Sequence, residues 1–365
     1  MITGDLRRAI ARAAAAAGCG PAGDPGLRPA GVPGRYAASV ALTLAGNPRE
    51  TARRLAARLT EEPWIAAAEV TGPGYLTVTV TPEAVGAVAG NVIKAGPACV
   101  ASGALAGQAV PGAAPGDPLA APTWEEARAA LAARLTVRLA AAAGATVAAY
   151  PDAERSRAAR RPGTDAGAGE STARSGYPQS RLRRGARAGG SGEPAAIARA
   201  VGYAGRDAVL FSLARAIPGK PLRVDQEIIA RHVPGNPAYA VRYAHARAAS
   251  GVRWAVISRG DGPPYPPREA TALPDSPADP GELAFLDALS WLPERVATAA
   301  RRGRPDVFAR YLEDLASATV AVLSTASHPG KGASPGSDRL TLALAARTGL
   351  AAGLGLLEIS APDRL

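Results

Sequence analysis

The clearest alternation of apolar and polar positions lies at YLTVTV (75–80). Leu76, Val78 and Val80 face one way, and Tyr75, Thr77 and Thr79 the other, as in a half-buried strand. Gly-Pro-Gly at 72–74 joins it to a second apolar run, IAAAEV (65–70), which predicts a strand pair. Upstream, Asn47-Pro48 opens NPRETARRLAARLTEE, where Leu55 and Leu59 share one face. Asn47 is suited to cap the first turn and Pro48 to occupy it. DLRRAIARAAAAA (5–17) is helix-forming and stops at Gly18, whereas the continuous apolar run 35–45 is either helix or buried strand. Residues 1–100 read as one small α+β domain.

A Gly/Pro/Ala linker is expected over 101–122, then a helix and a short strand, ATVAAY, over 124–150. Between Arg155 and Arg187 the hydrophobic pattern disappears, and nine arginines stand against two acids. Such a segment cannot bury enough apolar surface to fold alone, so 151–193 reads as a basic disordered linker. From 194 to 365 the period turns helical, with helices expected at about 194–203, 205–216, 224–233, 236–258, 282–302, 305–326 and 336–357. A Pro-rich loop interrupts them at 262–281. This region reads as an all-α bundle.

Composition changes that picture in two ways. Three lysines against 39 arginines, with long Ala, Gly and Pro runs, reflect the bias of a GC-rich genome, so the formal charge of +11 weighs little by itself. Three histidines (His232, His245, His328) and two cysteines (Cys19, Cys99) supply no zinc-ligand spacing. The cysteines, 80 residues apart with no secretory leader pattern, suit a reduced, cytoplasmic, soluble protein. The alanine run at 13–17 is too short to span a membrane.

NPAYAVRYAHAR (236–247) resembles the opening of the helical anticodon-binding domain of arginyl-tRNA synthetases. Asn236, Pro237, Tyr239, Tyr243, Ala244, His245, Ala246 and Arg247 match that pattern, and Ala240 replaces the second tyrosine of a pair. LPERVATAARRGRPDVFARYLEDLASA (292–318), the chain end GLLEISAPDRL and GRDAVLFSLAR (205–215) extend the resemblance. So do NPRETARRLAARL and GPGYLTVTV in the first hundred residues, for roughly two-thirds of the chain in all.

The resemblance implies a class I catalytic domain between those ends, with a His-x-Gly-His turn and a Lys-Met-Ser-Lys loop that hold ATP. No histidine precedes His232, and the corresponding turn reads Pro122-Thr123-Trp124-Glu125-Glu126-Ala127-Arg128. Two carboxylates there would repel a phosphate. The lysine loop has only Arg181-Leu182-Arg183-Arg184 as its counterpart, and arginine is not an equivalent clamp. The fold expected is therefore an α+β N-terminal domain, a small degenerate α/β remnant within 101–150, and a C-terminal all-α anticodon-binding-like bundle. Of the family's ATP and magnesium, neither is expected as a cofactor here.

Candidate RNA-facing residues follow from the same match. Tyr239, Tyr243 and Arg247 are spaced i, i+4 and i+8, one helix face. They read either as an anticodon platform that stacks bases or as a core stripe with satisfied hydroxyls. Asn236 begins that motif, and His245 reads as structural. Tyr75 and Thr77 occupy the strand that approaches the tRNA D-loop in the family, with Thr77 where an asparagine is common. Arg301, Arg302 and Arg304 form a basic corner suited to phosphate or simply to a solvated helix end. The aromatic-rich stretch of the family reads Thr319-Val320-Ala321-Val322-Leu323, and Leu365 replaces a common terminal methionine. The expected function is arginine-type tRNA binding without aminoacylation, although homology alone would suggest an arginine–tRNA ligase. The alternative is a protein-interaction module that partners a true synthetase or an enzyme using arginyl-tRNA.

Overall fold

Asn47 accepts from the amides of Arg49 and Glu50, and this cap fixes the start of a helix that closes one side of a small sheet. The computed structural model describes residues 1–20, 23–150, 193–257, 280–325 and 337–365. The basic segment 155–187, with Arg181, Arg183 and Arg184, lies outside them.

The N-terminal unit comprises α1 (Ile2–Ala16), β1 (Arg28–Pro29), β2 (Arg35–Ala38), α2 (Pro48–Leu59), β3 (Ile65–Thr71), β4 (Tyr75–Val80) and α3 (Pro82–Ala95). Its strands form an antiparallel sheet in the order β1-β2-β4-β3. The ambiguous run at 35–45 resolves into β2 and a 3-10 turn. Leu76, Val78 and Val80 are buried as the alternation requires, while Tyr75, Thr77 and Thr79 face outward. At the β3–β4 turn Gly74 has φ +143, and a Cβ there would stand 2.9 Å from the Pro48 backbone. Only glycine fits that approach. Helix α3, which the sequence reading did not anticipate, buries Val85, Val88, Ala89 and Val92.

The stretch read as a linker contains β5 (Ala109–Pro111), which pairs in parallel with β6 (Thr146–Ala148). Helix α4 (Trp124–Ala142) connects the two strands, giving one β-α-β unit. The fully buried Leu131, Leu135 and Leu139 of α4 each contribute about 1.5–3 kcal/mol.

The C-terminal half comprises α5 (Glu193–Ala204), α6 (Arg206–Arg215), α7 (Gln226–Ile229), α8 (Pro237–Ile257), α9 (Pro280–Ser290), α10 (Leu292–Arg302), α11 (Pro305–Thr325) and α12 (Ser337–Leu356). The single helix expected at 282–302 is two, broken at Trp291, because Pro293 lacks an amide to continue the ladder and suits a first turn instead. Helix α8 packs against α11 and α12, and α4 packs against α6 and α10. The β-α-β helix thus docks on the bundle.

The two ends of the chain close directly on each other. Helix α3 packs on α9 and α12, and α1 packs on α10, giving one continuous apolar core from Ile2 to Ile359. A polar seam crosses this junction. The Tyr36 hydroxyl donates to the Asp287 carboxylate at 3.1 Å and lies 3.1 Å from the Ser290 hydroxyl. The Gly34 amide donates to the same carboxylate at 3.1 Å, and the Thr3 hydroxyl to the Ser290 carbonyl at 2.9 Å. Arg7 pairs with Glu294 at 2.5 Å. Burial raises the Asp287 pKa above the ordinary carboxylate range, and burial beside Asp287 raises that of Tyr36.

Candidate nucleic-acid interface

Helix α8 presents a ring array. Tyr239 and Tyr243 stack with centroids 5.6 Å apart and planes 21° from parallel, one helical turn apart. His232, from the loop before α8, stacks on Tyr239 at 5.3 Å and 12°. Both tyrosines are only half-buried. Neither hydroxyl has a hydrogen-bond partner among the described residues, so the stripe is not the satisfied core arrangement.

The electrostatics of α8 point the same way. Its sequence, PAYAVRYAHARAASGVRWAVI, has three arginines and no acid. Arg247, one turn beyond Tyr243, gives a single hydrogen bond to the Ser324 hydroxyl at 3.2 Å. Its Nε is buried without a partner, and no carboxylate pairs with it among the described residues. Arg242 is held by Asp207 at 3.6 Å and Arg253 by the Asp363 carbonyl at 2.8 Å. Arg247 thus stands beside the rings with no carboxylate partner among the described residues.

Two motif residues shape this surface from within. Asn236 is 3% exposed, and its amide donates to the Ile229 and Arg231 carbonyls at 2.7 and 2.8 Å. It closes the loop that carries His232, and its side chain is not presented to a ligand. His245 is buried with Nδ1 2.9 Å from the Pro362 carbonyl, which pins the chain end. Burial lowers its pKa, so it is neutral at pH 7 and donates from Nδ1.

The other candidates are dispersed. Tyr75 is 43% exposed and Thr77 half-buried on the outer face of the small sheet, beside Arg35, which is paired with Glu69 at 2.9 Å. At the basic corner Arg301 is engaged by Glu294 at 2.8 Å and Asp24 at 3.1 Å. Arg304 forks onto the buried Asp306 at 2.7 and 2.8 Å. Only the exposed Arg302 has no partner among the described residues, so the corner offers one free cation rather than three. Along the stretch 319–323, Thr319 turns its hydroxyl into the helix backbone at Leu315.

At the start of α4, Thr123 accepts from the Glu126 amide at 3.2 Å, and Glu125 pairs with Arg128. Arg128 also donates to the Ile217 and Lys220 carbonyls at 3.3 and 2.7 Å. A cleft of about 480 Å³ beside Trp124 is lined by Arg199 but also by Asp225 and Glu227. The capped helix end and the surplus of carboxylates do not fit the phosphates of ATP.

Residues 241–365 match the model of the DALR anticodon binding domain. The Acidithiobacillus ferrooxidans arginine–tRNA ligase is 35% identical over 161 residues, 44% of this chain and 27% of that protein. Its Paenarthrobacter aurescens counterpart is 34% identical over 169 residues, 45% of this chain and 30% of that protein. Over these spans the chain is similar to arginine–tRNA ligases. The match spans less than a third of the length of these curated relatives. Thermus thermophilus arginyl-tRNA synthetase has the same fold, with a TM-score of 0.64, 16% identity and 100% of both chains covered. The ring array of α8 starts just before the matched domain and continues into it. His232 and Trp254, which the sequence reading did not single out, belong to the same helix-and-loop surface. The absence of acids from α8 was the signal that could have found them.

Proposed function

We propose that the chain binds tRNA of the arginine type through α8 and does not itself aminoacylate it. The observation that carries this reading is the half-exposed His232–Tyr239–Tyr243 array beside Arg247, on an acid-free helix that runs into a region matching an anticodon-binding domain. Stacking on aromatic planes plus a cation for the backbone is how single-stranded RNA loops are held. The outer sheet face with Tyr75 and Thr77, Arg302 and the basic segment 155–187 add backbone contacts, which makes binding steeply salt-dependent. The single parallel β-α-β unit among the described residues and the capped start of α4 support the loss of adenylation, as does the lack of any histidine before His232. Both cysteines are free and buried, and burial raises the Cys99 thiol to about 11, which favours a reducing, cytoplasmic setting. No described helix is long and apolar enough to cross a membrane.

The test compares arginine-type with bulk tRNA at two salt concentrations, with 155–187 deleted in parallel. An arginine-tRNA preference that survives the deletion supports recognition by the folded part. No binding at low salt by a folded protein rejects the reading. Arginine-dependent ATP–pyrophosphate exchange is expected to be absent, and a sustained exchange rate would overturn the non-catalytic half.

A further inference from the structure

Trp254 is 66% exposed, the most exposed of the large apolar side chains among the described residues. Burial of so large an apolar surface is worth several times that of a methyl group, so leaving it in water calls for a reason. Its position on α8 supplies one. Trp254 follows Tyr243 by eleven residues and Arg247 by seven, so at about 100° per residue it lies within about 20° of each around the helix. Tyr239 to Trp254 spans about 22 Å along the axis at about 1.5 Å per residue. The stripe therefore runs from His232 and Tyr239 through Tyr243 and Arg247 to Trp254, along a helix with three arginines and no acid.

We infer that Trp254 and His232 are base-stacking residues at the two ends of a track for unpaired nucleotides of an RNA loop. The inference rests on the proposed tRNA binding and extends it to two residues outside the matching motif. His232 is exposed and stacks on Tyr239, so it extends the ring array toward solvent. Trp254 offers a separate platform, and Arg247 between them meets the backbone. Charge decides the class of occupant: an acid-free helix whose Arg247 bonds only a serine hydroxyl among the described residues complements a polyanion. An apolar peptide would leave that charge uncompensated.

The test uses the full chain with an arginine-type tRNA and with its anticodon stem–loop. Trp254→Ala and His232→Ala are each expected to weaken both RNAs about 5- to 150-fold, the range for loss of one stacked base. Trp254→Phe, which keeps a stacking plane, should retain most of the affinity. The slope of affinity against salt should not change, because no phosphate contact is removed. Wild-type affinity in Trp254→Ala and His232→Ala, alongside weakened Tyr243→Ala, would overturn this inference while leaving tRNA binding intact. A shallower salt slope in Trp254→Ala would also overturn it. Absence of RNA binding by the wild-type chain would remove the proposed function and the inference together.

Discussion

Removing the Tyr36 hydroxyl perturbs the junction between the two ends of the chain at a single atom. Tyr36 is fully buried, and its ring lies 5.3 Å from that of Trp291. Tyr36→Phe keeps that ring contact and almost all of the buried apolar area. What is lost is a hydrogen bond to the partly buried Asp287 carboxylate, together with the contact to Ser290. Asp287 retains the Gly34 amide, so the carboxylate is left half-served rather than bare. Hydrogen bonds to charged groups contribute about 1.5–3 kcal/mol, which for a chain of this size corresponds to roughly 2–4 °C in Tm. Urea unfolding of Tyr36→Phe should therefore show a lower midpoint with an unchanged slope. Tyr75→Phe is the control, since that ring is exposed and its change should stay within about 0.5 kcal/mol. Asp287→Asn in combination with Tyr36→Phe should be non-additive, because the two side chains touch. If Tyr36→Phe matches Tyr75→Phe, the polar seam does not stabilise the junction and the reasoning fails.

Other consequences are as direct. Burial raises the Asp287 pKa, so the folded state holds that proton more tightly than the unfolded chain does. The associated stability is present below the ordinary carboxylate range and falls as pH rises through the raised value. Asp287→Asn should flatten that fall in a series of urea titrations across acidic pH, and an unaltered pH profile would sink the assignment. Asn236→Ala unpairs the Ile229 and Arg231 carbonyls and should cost about 1–3 kcal/mol in unfolding experiments, whereas a cost near zero would mean the loop does not depend on it. Arg247→Ala should reduce the magnitude of the salt slope of tRNA binding by about 0.7–0.9, one phosphate contact. An unchanged slope would place that arginine outside the interface.

Local chemistry was the legible part of this sequence. Asn47-Pro48, the Gly-Pro-Gly turn and the alternation at 75–80 each carry their geometry in a few neighbouring residues, and the structure realises all three. The motif at 236–247 likewise forms one helix with its tyrosines stacked. Helix α3 was missed although Thr81-Pro82 and the spacing of Val85, Val88, Ala89 and Val92 announce it; Gly86 and Gly90 dilute that pattern. Strand β5 was hidden because three residues in a Gly/Pro/Ala stretch have no period to read, and its pairing with β6 is set by the intervening helix. Long-range pairing was illegible for a deeper reason. Nothing local in Arg301 or Arg304 indicates that Glu294, Asp24 and Asp306 take up their charge. Nor does Tyr36 announce a partner 251 residues away. Such contacts arise from packing, and a candidate cation list drawn from sequence overcounts accordingly.

Ultraviolet crosslinking of bound arginine-type tRNA to the full chain, followed by mapping of the modified peptides and nucleotides, tests α8 as the RNA-binding element most directly. Crosslinks between anticodon-loop nucleotides and the peptide spanning 232–254 are the expected result. Crosslinks confined to the basic segment 155–187, with α8 unmodified, would contradict it and leave only non-selective electrostatic binding.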